Sequence, residues 1–243
     1  MDNKGSLTGK KVLVMGGTSG IGLGVARAAA AAGAAVHIVS SNRQRVQQAL
    51  ELLGTNAHGY TADLSREENI KTFFDGMPQI DHLVYTAAEN LRLHKVVDTD
   101  IAAARNFLDI RFWGAFAAVK YGAVRINAGG SIGLMGGNAG QRPQSGWGLA
   151  ASICMAMEGF TRAMAVELAP IRVNCVAAGV VRTALWDSMP VADRDALFRH
   201  LGSVLPVGRI GEAEDIAQAF LYLMQQGFCT GQVLTVDGGG VLI

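Results

Sequence analysis

Seven residues near the start of the chain, Gly16-Gly17-Thr18-Ser19-Gly20-Ile21-Gly22, follow a short apolar run and open an Ala-rich stretch. Glycines let a turn be tight and bring the backbone close to a phosphate. The free N–H groups and positive dipole end of the helix that follows can then hold that phosphate. A plain tight turn has the same composition, but its place between a strand and a helix favours a pyrophosphate-binding loop. The expected contacts are Gly16, Thr18, Ser19, Gly20, Ile21 and Gly22, and the expected ligand is a dinucleotide.

The second segment with chemical content is Ser40-Ser41-Asn42-Arg43, with Arg45 close by and no acid. An acid about 20 residues past the glycines would bind the ribose 2′-OH of NAD. An arginine instead pairs with a 2′-phosphate through a charge-assisted fork. Ser40, Ser41, Asn42 and Arg43 therefore favour NADP(H) over NAD(H). The alternative is that Arg43 and Arg45 are solvated charges at a helix start. Asp63 with Leu64 either contacts the adenine ring or is a simple loop acid and its neighbour.

These segments need a frame. Apolar runs at Val12–Met15, Val36–Ser40, Ala57–Tyr60, His82–Tyr85, Ser131–Met135, Ile171–Val176 and Val233–Val236 read as seven strands. Helical stretches separate them: Ile21–Ala32, Arg43–Leu53, a helix capped by Ser65, Thr99–Ile126, Gly148–Ala169 and Glu212–Gln226. Strand–helix alternation at this spacing predicts one doubly wound α/β domain of Rossmann type, a seven-stranded parallel sheet with helices on both faces. Gly136–Gly148 reads as a loop, and Arg182–Leu205 as a mobile segment able to act as a lid.

With 243 residues, 50% of them hydrophobic and 17% charged, the chain suits one sizeable globular domain. A formal net charge of +1 gives no footprint for nucleic acid. Three cysteines without CxxC spacing predict reduced thiols, no disulfide framework and no metal site. The first residues, Met1 to Ser6, lack an apolar signal-peptide core, and no apolar run reaches about 18 residues uninterrupted. A cytoplasmic chain with no membrane partner is expected.

Along essentially its whole length the chain resembles the short-chain dehydrogenase/reductase family. Gly16, Gly20 and Gly22 match the family's glycine motif, and Asp63 its adenine-loop aspartate. Ile171-Arg172-Val173-Asn174 through Ala178-Gly179 matches the segment ending in Pro-Gly, with Ala178 in the proline's place. Pro206-Val207-Gly208-Arg209 to Asp215-Ile216-Ala217 and the closing Val236-Asp237-Gly238-Gly239 are further landmarks. The resemblance implies cofactor contacts at Thr86, Ala87, Ala88, Gly179, Val181 and Thr183, strand order 3-2-1-4-5-6-7, a small-molecule substrate, and a homodimer or homotetramer through the two long helices.

The resemblance breaks at the reaction centre. The family uses Asn, Ser, Tyr and Lys, with Tyr and Lys four apart on one helix. Matching outward from Gly159-Phe160 puts Ala150 at Tyr, Cys154 at Lys, Gly137 at Ser and Arg111 at Asn. No shift of register restores the pair: the residues four after the four tyrosines are Leu64, Glu89, Arg125 and Gln226. Losing a positioned general acid typically costs about 10²–10⁴-fold in rate. Another residue supplies the proton, or the substrate needs none, or redox chemistry is gone.

Arg142-Pro143-Gln144-Ser145-Gly146-Trp147 is similar to a loop in a divergent branch of the family. That branch includes fungal alkaloid enzymes that reduce an iminium-type intermediate with NADPH and steer a Diels–Alder cyclisation. They carry an aspartate after the proline, where Gln144 stands here, and an arginine at the Asn position, as Arg111 does. The resemblance implies substrate-handling roles for Arg111, Gln144 and Trp147. Arg111 either stabilises developing charge, with Glu89 as its neutralising partner, or bridges helix ends. Trp147 either walls the pocket or packs in the core. Gln144 either orients the substrate or is a loop amide. Cys154, mid-helix among apolar neighbours, reads as an inert thiol. The activity expected is an NADP(H)-dependent oxidoreductase acting on a C=O or C=N carbon, the alternative a nucleotide-binding protein without turnover.

Overall fold

The computed structural model describes residues 6–91 and 93–243. The N-terminal residues 1–5, read above as lacking a signal-peptide core, lie outside the described residues.

The chain alternates strand and helix from the start. Strand β1 (Lys11–Met15) leads into α1 (Gly20–Ala31), β2 (Ala35–Ser40) into α2 (Arg43–Leu53), and β3 (Ala57–Thr61) into α3 (Glu67–Asp75). Strand β4 (Ile80–Tyr85) is followed by α4 (Ile101–Leu108), a π-turn (Asp109–Trp113) and α5 (Gly114–Gly122). Then come β5 (Ile126–Gly137), α6 (Gly148–Glu167), β6 (Arg172–Ala178), α7 (Val191–Val204), α8 (Ala213–Gln225) and β7 (Val233–Val236).

The seven strands form one sheet in the order β3-β2-β1-β4-β5-β6-β7, every pairing parallel. The expected strand order and class therefore hold. Side-chain alternation along β1 explains the layering: Val12 and Val14 pack in a core with Val25 of α1 and Phe220 of α8. Leu13 and Met15 pack on the opposite face with Phe74 of α3, Val119 of α5 and Met157 of α6. The order reverses between β1 and β4, and in such sheets the ligand crevice lies beyond the strand ends at that point.

Several boundaries move for identifiable reasons. Ser65 does not cap α3: Arg66 takes the cap position, because the Ser65 N–H and hydroxyl both donate to Asp63 Oδ1, at 3.0 and 2.7 Å. The expected helix Thr99–Ile126 is broken by the π-turn and ends at Gly122, where a Cβ would press on Phe74 at 2.9 Å. Strand β5 runs well beyond Ser131–Met135 and takes in Gly136 and Gly137, the first two residues of the expected loop. Most of the expected lid, Arg182–Leu205, is the helix α7. Glu212 caps α8 in a reciprocal capping box with Asp215.

Helix α6 qualifies by length and composition as a bilayer span, with mean hydropathy 1.3 over its best window, which a search for uninterrupted apolar runs does not detect. Its Ile153, Met157, Glu158 and Thr161 are buried, and it packs on β5 and β6 as a core helix of this sheet does.

Candidate functional site

A cavity of about 390 Å³ opens at the carboxyl ends of the strands. Its first wall is the turn from β1 to α1, with Gly16, Thr18, Ser19, Gly20, Ile21 and Gly22 all lining it. Glycine is required there on two counts. Gly16 has φ +90°, and a Cβ on it would lie 2.6 Å from the Ala87 nitrogen. A Cβ on Gly22 would collide with the Gly16 carbonyl. Helix α1 has no side-chain cap hydrogen bond and no acid in its first turn. Its N–H groups therefore face the cavity without a resident carboxylate, the condition for holding a phosphate.

The second wall is the end of β2. Ser40, Ser41 and Arg45 line the cavity, whereas Asn42 and Arg43 do not. The expected cofactor contacts at those two residues are not brought to the cavity wall. The Asn42 side chain is occupied as the cap of α2, accepting from the Arg45 N–H at 3.0 Å. Arg43, the first residue of that helix, is exposed, and Arg45 in the same turn reaches the cavity. Asp63 and Leu64 line it as well. The Ser65 hydrogen bonds hold the Asp63 carboxyl below the usual range, so the group is anionic at neutral pH. Thr86, Ala87 and Ala88 complete this side, with the Thr86 N–H bound to the Met15 carbonyl at 2.9 Å. Gly179, Val181 and Thr183 lie opposite, and Gly179 is tied to β7 by its N–H to the Val236 carbonyl at 3.0 Å.

Beyond the glycine turn the cavity becomes apolar, walled by Phe107, Ile110, Ile153 and Trp186. Arg111 stands among them, leaving the π-turn with a side chain only 16% exposed. Its guanidinium donates to the Glu89 carbonyl oxygen, and its Nε lies 3.8 Å from Glu89 Oε2. Its Cζ sits 4.4 Å over the Phe107 ring. Burial lowers its proton affinity and the Glu89 carboxylate opposes that, so the group stays cationic. The expected Arg111–Glu89 pairing is present.

Ala150 and Cys154 both line the cavity, and so does Gly137. A Cβ on Gly137 would lie 3.1 Å from Cys154 Sγ, so the thiol fills the space beside it. Burial pushes the Cys154 thiol up, against the pull of Arg111, and leaves it protonated at neutral pH. Among the described lining residues Tyr85 is the one tyrosine, and there is no lysine. Burial pushes the Tyr85 hydroxyl far above its usual range, and it already donates to the Ile110 carbonyl at 2.6 Å.

Trp147 lines the cavity, immediately precedes α6, and packs with the apolar cluster around Trp186 and Phe198. Gln144 does not line the cavity. It is exposed, and its carbonyl accepts from the Trp147 N–H at 3.0 Å in a turn. The loop thus brings its tryptophan to the cavity and leaves Gln144, expected as a substrate contact, on the exposed side. Sequence reasoning missed Tyr85 as a site residue and rated Arg43 above Arg45. Only the phase of α2 relative to its Asn42 cap could have separated the two arginines.

A family model described as enoyl-(acyl carrier protein) reductase matches residues 16–240. A short-chain dehydrogenase/reductase, fsr5, from Gibberella fujikuroi is 33% identical, covering 97% of this chain and 96% of that protein. Another, malC from Malbranchea aurantiaca, is 32% identical, covering 97% and 96%. Among solved structures, the MalC reductase/Diels–Alderase from M. aurantiaca has a TM-score of 0.89 at 31% identity, with 98% of each chain covered. A small-chain dehydrogenase in complex with NADPH has a TM-score of 0.83 at 34% identity, covering 96% of this chain and 99% of that one. A glycine turn at the switch point of a 3-2-1-4-5-6-7 sheet and these matches along nearly the full length agree, and the chain belongs to the short-chain dehydrogenase/reductase family of Rossmann-fold oxidoreductases.

Proposed function

We propose that the chain is an NADP(H)-dependent oxidoreductase with a rebuilt reaction centre, acting on the C=O or C=N carbon of a small organic substrate. One observation carries this reading: a buried, cationic Arg111 faces the same cavity as Ala150 and Cys154, the positions that match the family's Tyr and Lys. The tight glycine turn, where a Cβ on Gly16 or Gly22 would meet backbone, and the acid-free first turn of α1 fit a pyrophosphate. Arg45 beside Ser40 and Ser41, with no acid at the end of β2, fits a 2′-phosphate.

When bound, the nicotinamide group supplies or accepts hydride. The protein's own part is positioning and electrostatics. Thr183 and Gly179 border the cavity near the glycine turn. Phe107, Ile110 and Trp147 give the substrate an apolar wall. Arg111 stabilises negative charge developing on a substrate oxygen, and its burial strengthens that stabilisation. The proton comes from water or from the substrate, because Tyr85 has committed its hydroxyl to Ile110 and burial makes the Cys154 thiol a weak acid.

The second reading, nucleotide binding without turnover, is favoured by that same lack of a free proton donor. NADPH fluorescence on mixing, followed by its oxidation against a panel of ketones and imines, separates the two. The enzyme reading expects binding followed by oxidation with at least one substrate; tight binding with no oxidation sinks it.

We further propose a single-domain cytoplasmic chain that assembles as a homodimer or homotetramer. Trp113 and Phe116, 56% and 39% exposed, form an aromatic cluster with Phe112 and Phe160 on the π-turn–α5 and α6 surface. An apolar face of that kind suits a self-complementary interface.

A further inference from the structure

Tyr85 ends β4 with its side chain fully buried in the core. Its hydroxyl donates to the Ile110 carbonyl at 2.6 Å, across 25 residues of chain. Ile110 lies inside the π-turn, immediately before Arg111. A π-turn departs from the i→i+4 ladder of the flanking helices and leaves carbonyls that need other donors. A buried carbonyl left without a donor is destabilising. The tyrosine hydroxyl fills that need.

Gly114, the first residue after the turn, is matched to the same contact. A Cβ there would collide with Tyr85 Oη and lie 2.5 Å from the Leu64 carbonyl. The hydroxyl therefore occupies the space that any side chain at position 114 would take. Tyr85, Ile110 and Arg111 all line the cavity, so the contact that fixes the turn lies beside the group the turn presents. A one-residue change of helical register swings a side chain by roughly 100° around the axis. Relaxation of the π-turn into α-helix would carry Arg111 away from Phe107 and out of the cavity.

We infer that Tyr85 is a positioning residue for the reaction: its hydroxyl, bound to the Ile110 carbonyl, holds the π-turn in the register that aims Arg111 into the substrate cavity. The inference rests on the reading of Arg111 given above. It makes the tyrosine and Gly114 one device, in which glycine admits the hydroxyl and the hydroxyl sets the arginine.

The test compares wild type, Tyr85→Phe, Arg111→Ala and the double variant for NADPH affinity and for kcat on the best substrate of the panel. Tyr85→Phe keeps the ring and loses only the hydroxyl. It is expected to lower kcat by about tenfold with NADPH affinity unchanged, and to add nothing in the Arg111→Ala background. A general loss of packing would lower kcat in both backgrounds alike. Gly114→Ala, whose methyl displaces the hydroxyl, is expected to give the same pattern and serves if Tyr85→Phe does not fold. Wild-type kcat in Tyr85→Phe beside an impaired Arg111→Ala overturns the inference and leaves the role of Arg111 standing, as do additive losses. If Arg111→Ala turns over normally, or wild type does not turn over, the reading of Arg111 is what fails. A crystal structure of Tyr85→Phe then decides the structural claim, and an unmoved π-turn with Arg111 still in the cavity overturns it.

Discussion

The two ends of the cavity are built on opposite principles. The cofactor end is made of backbone: glycines at positions 16 and 22, the N-terminus of α1, and main-chain bonds such as Thr86 N–H to the Met15 carbonyl. The substrate end is made of side chains reaching over long sequence separations, with Tyr85 on Ile110, Arg111 on Glu89, and Trp147 on the Trp186 cluster. A backbone site tolerates almost no added atom but keeps its chemistry through large changes of sequence. A side-chain site can be rebuilt residue by residue while the sheet beneath it stays the same. That difference would let the family's binding fold persist around the rebuilt centre proposed above.

The largest effect expected is at the backbone end. Gly16→Ala places a methyl 2.6 Å from the Ala87 nitrogen at φ +90°. Strain and clash together should weaken NADPH binding by at least about a hundredfold in a fluorescence titration. Affinity retained within about threefold would break the contrast, because that end would then tolerate change as the other does.

Next comes Arg111→Ala, which removes the cavity's buried cation. It should lower kcat by more than about tenfold and leave NADPH affinity within about twofold. Gln144→Ala, in the exposed turn, should leave both unchanged. An effect of Gln144→Ala as large as that of Arg111→Ala would return the amide to the site.

A smaller effect sharpens the border between the two ends. Arg45→Ala should weaken NADPH about tenfold with little change for NADH, since a charge-assisted contact contributes about 1.5–3 kcal/mol. Arg43→Ala should change neither. The reverse ranking would show that the α2 turn presents the other arginine in solution.

A separate effect, on stability and not on binding or turnover, is acid lability of the sheet beneath both ends. Burial holds His82 at about 4, with nearby Arg172 and Lys10 acting the same way and Asp81 against. Burial, then His58 and Lys11, hold His37 at about 4. Both are neutral when folded at pH 7, whereas the unfolded chain takes up these protons near 6.5. Their stabilisation is therefore complete above pH 6.5 and is lost as pH falls toward 4. The loss should amount to about 2 kcal/mol per group in urea unfolding at pH 7 and pH 4.5. His82→Gln should remove about half of that drop. Trp147 and Trp186 line the substrate end of the cavity, and Trp113 lies in the π-turn that carries Arg111. Tryptophan fluorescence and NADPH binding should accordingly be lost together, and separate transitions would show that the halves unfold independently.

What could be read from the sequence follows the same divide. The layers and the glycine turn were legible because they rest on local period and local turn chemistry, whereas the strand order followed from the family resemblance. Asn42 shows where that legibility ends: its cap sets the phase of α2, and phase decides which arginine meets the cavity. The π-turn was not legible, because it depends on Tyr85 meeting a carbonyl 25 residues away at a glycine that looks ordinary in a helix. Gln144 and Trp147 are three residues apart, and the turn between them, not their chemistry, sends one to solvent and the other to the site. Ser65 looked like a helix cap until Asp63 took both of its donors.

The central claim is that this oxidoreductase works without a proton donor held by the protein. The most direct test is kcat of Cys154→Ala beside wild type on the same substrate, with NADPH affinity as the control for folding. With no proton drawn from the thiol, kcat should stay within about twofold of wild type. A loss of more than about tenfold at unchanged NADPH affinity would contradict the account.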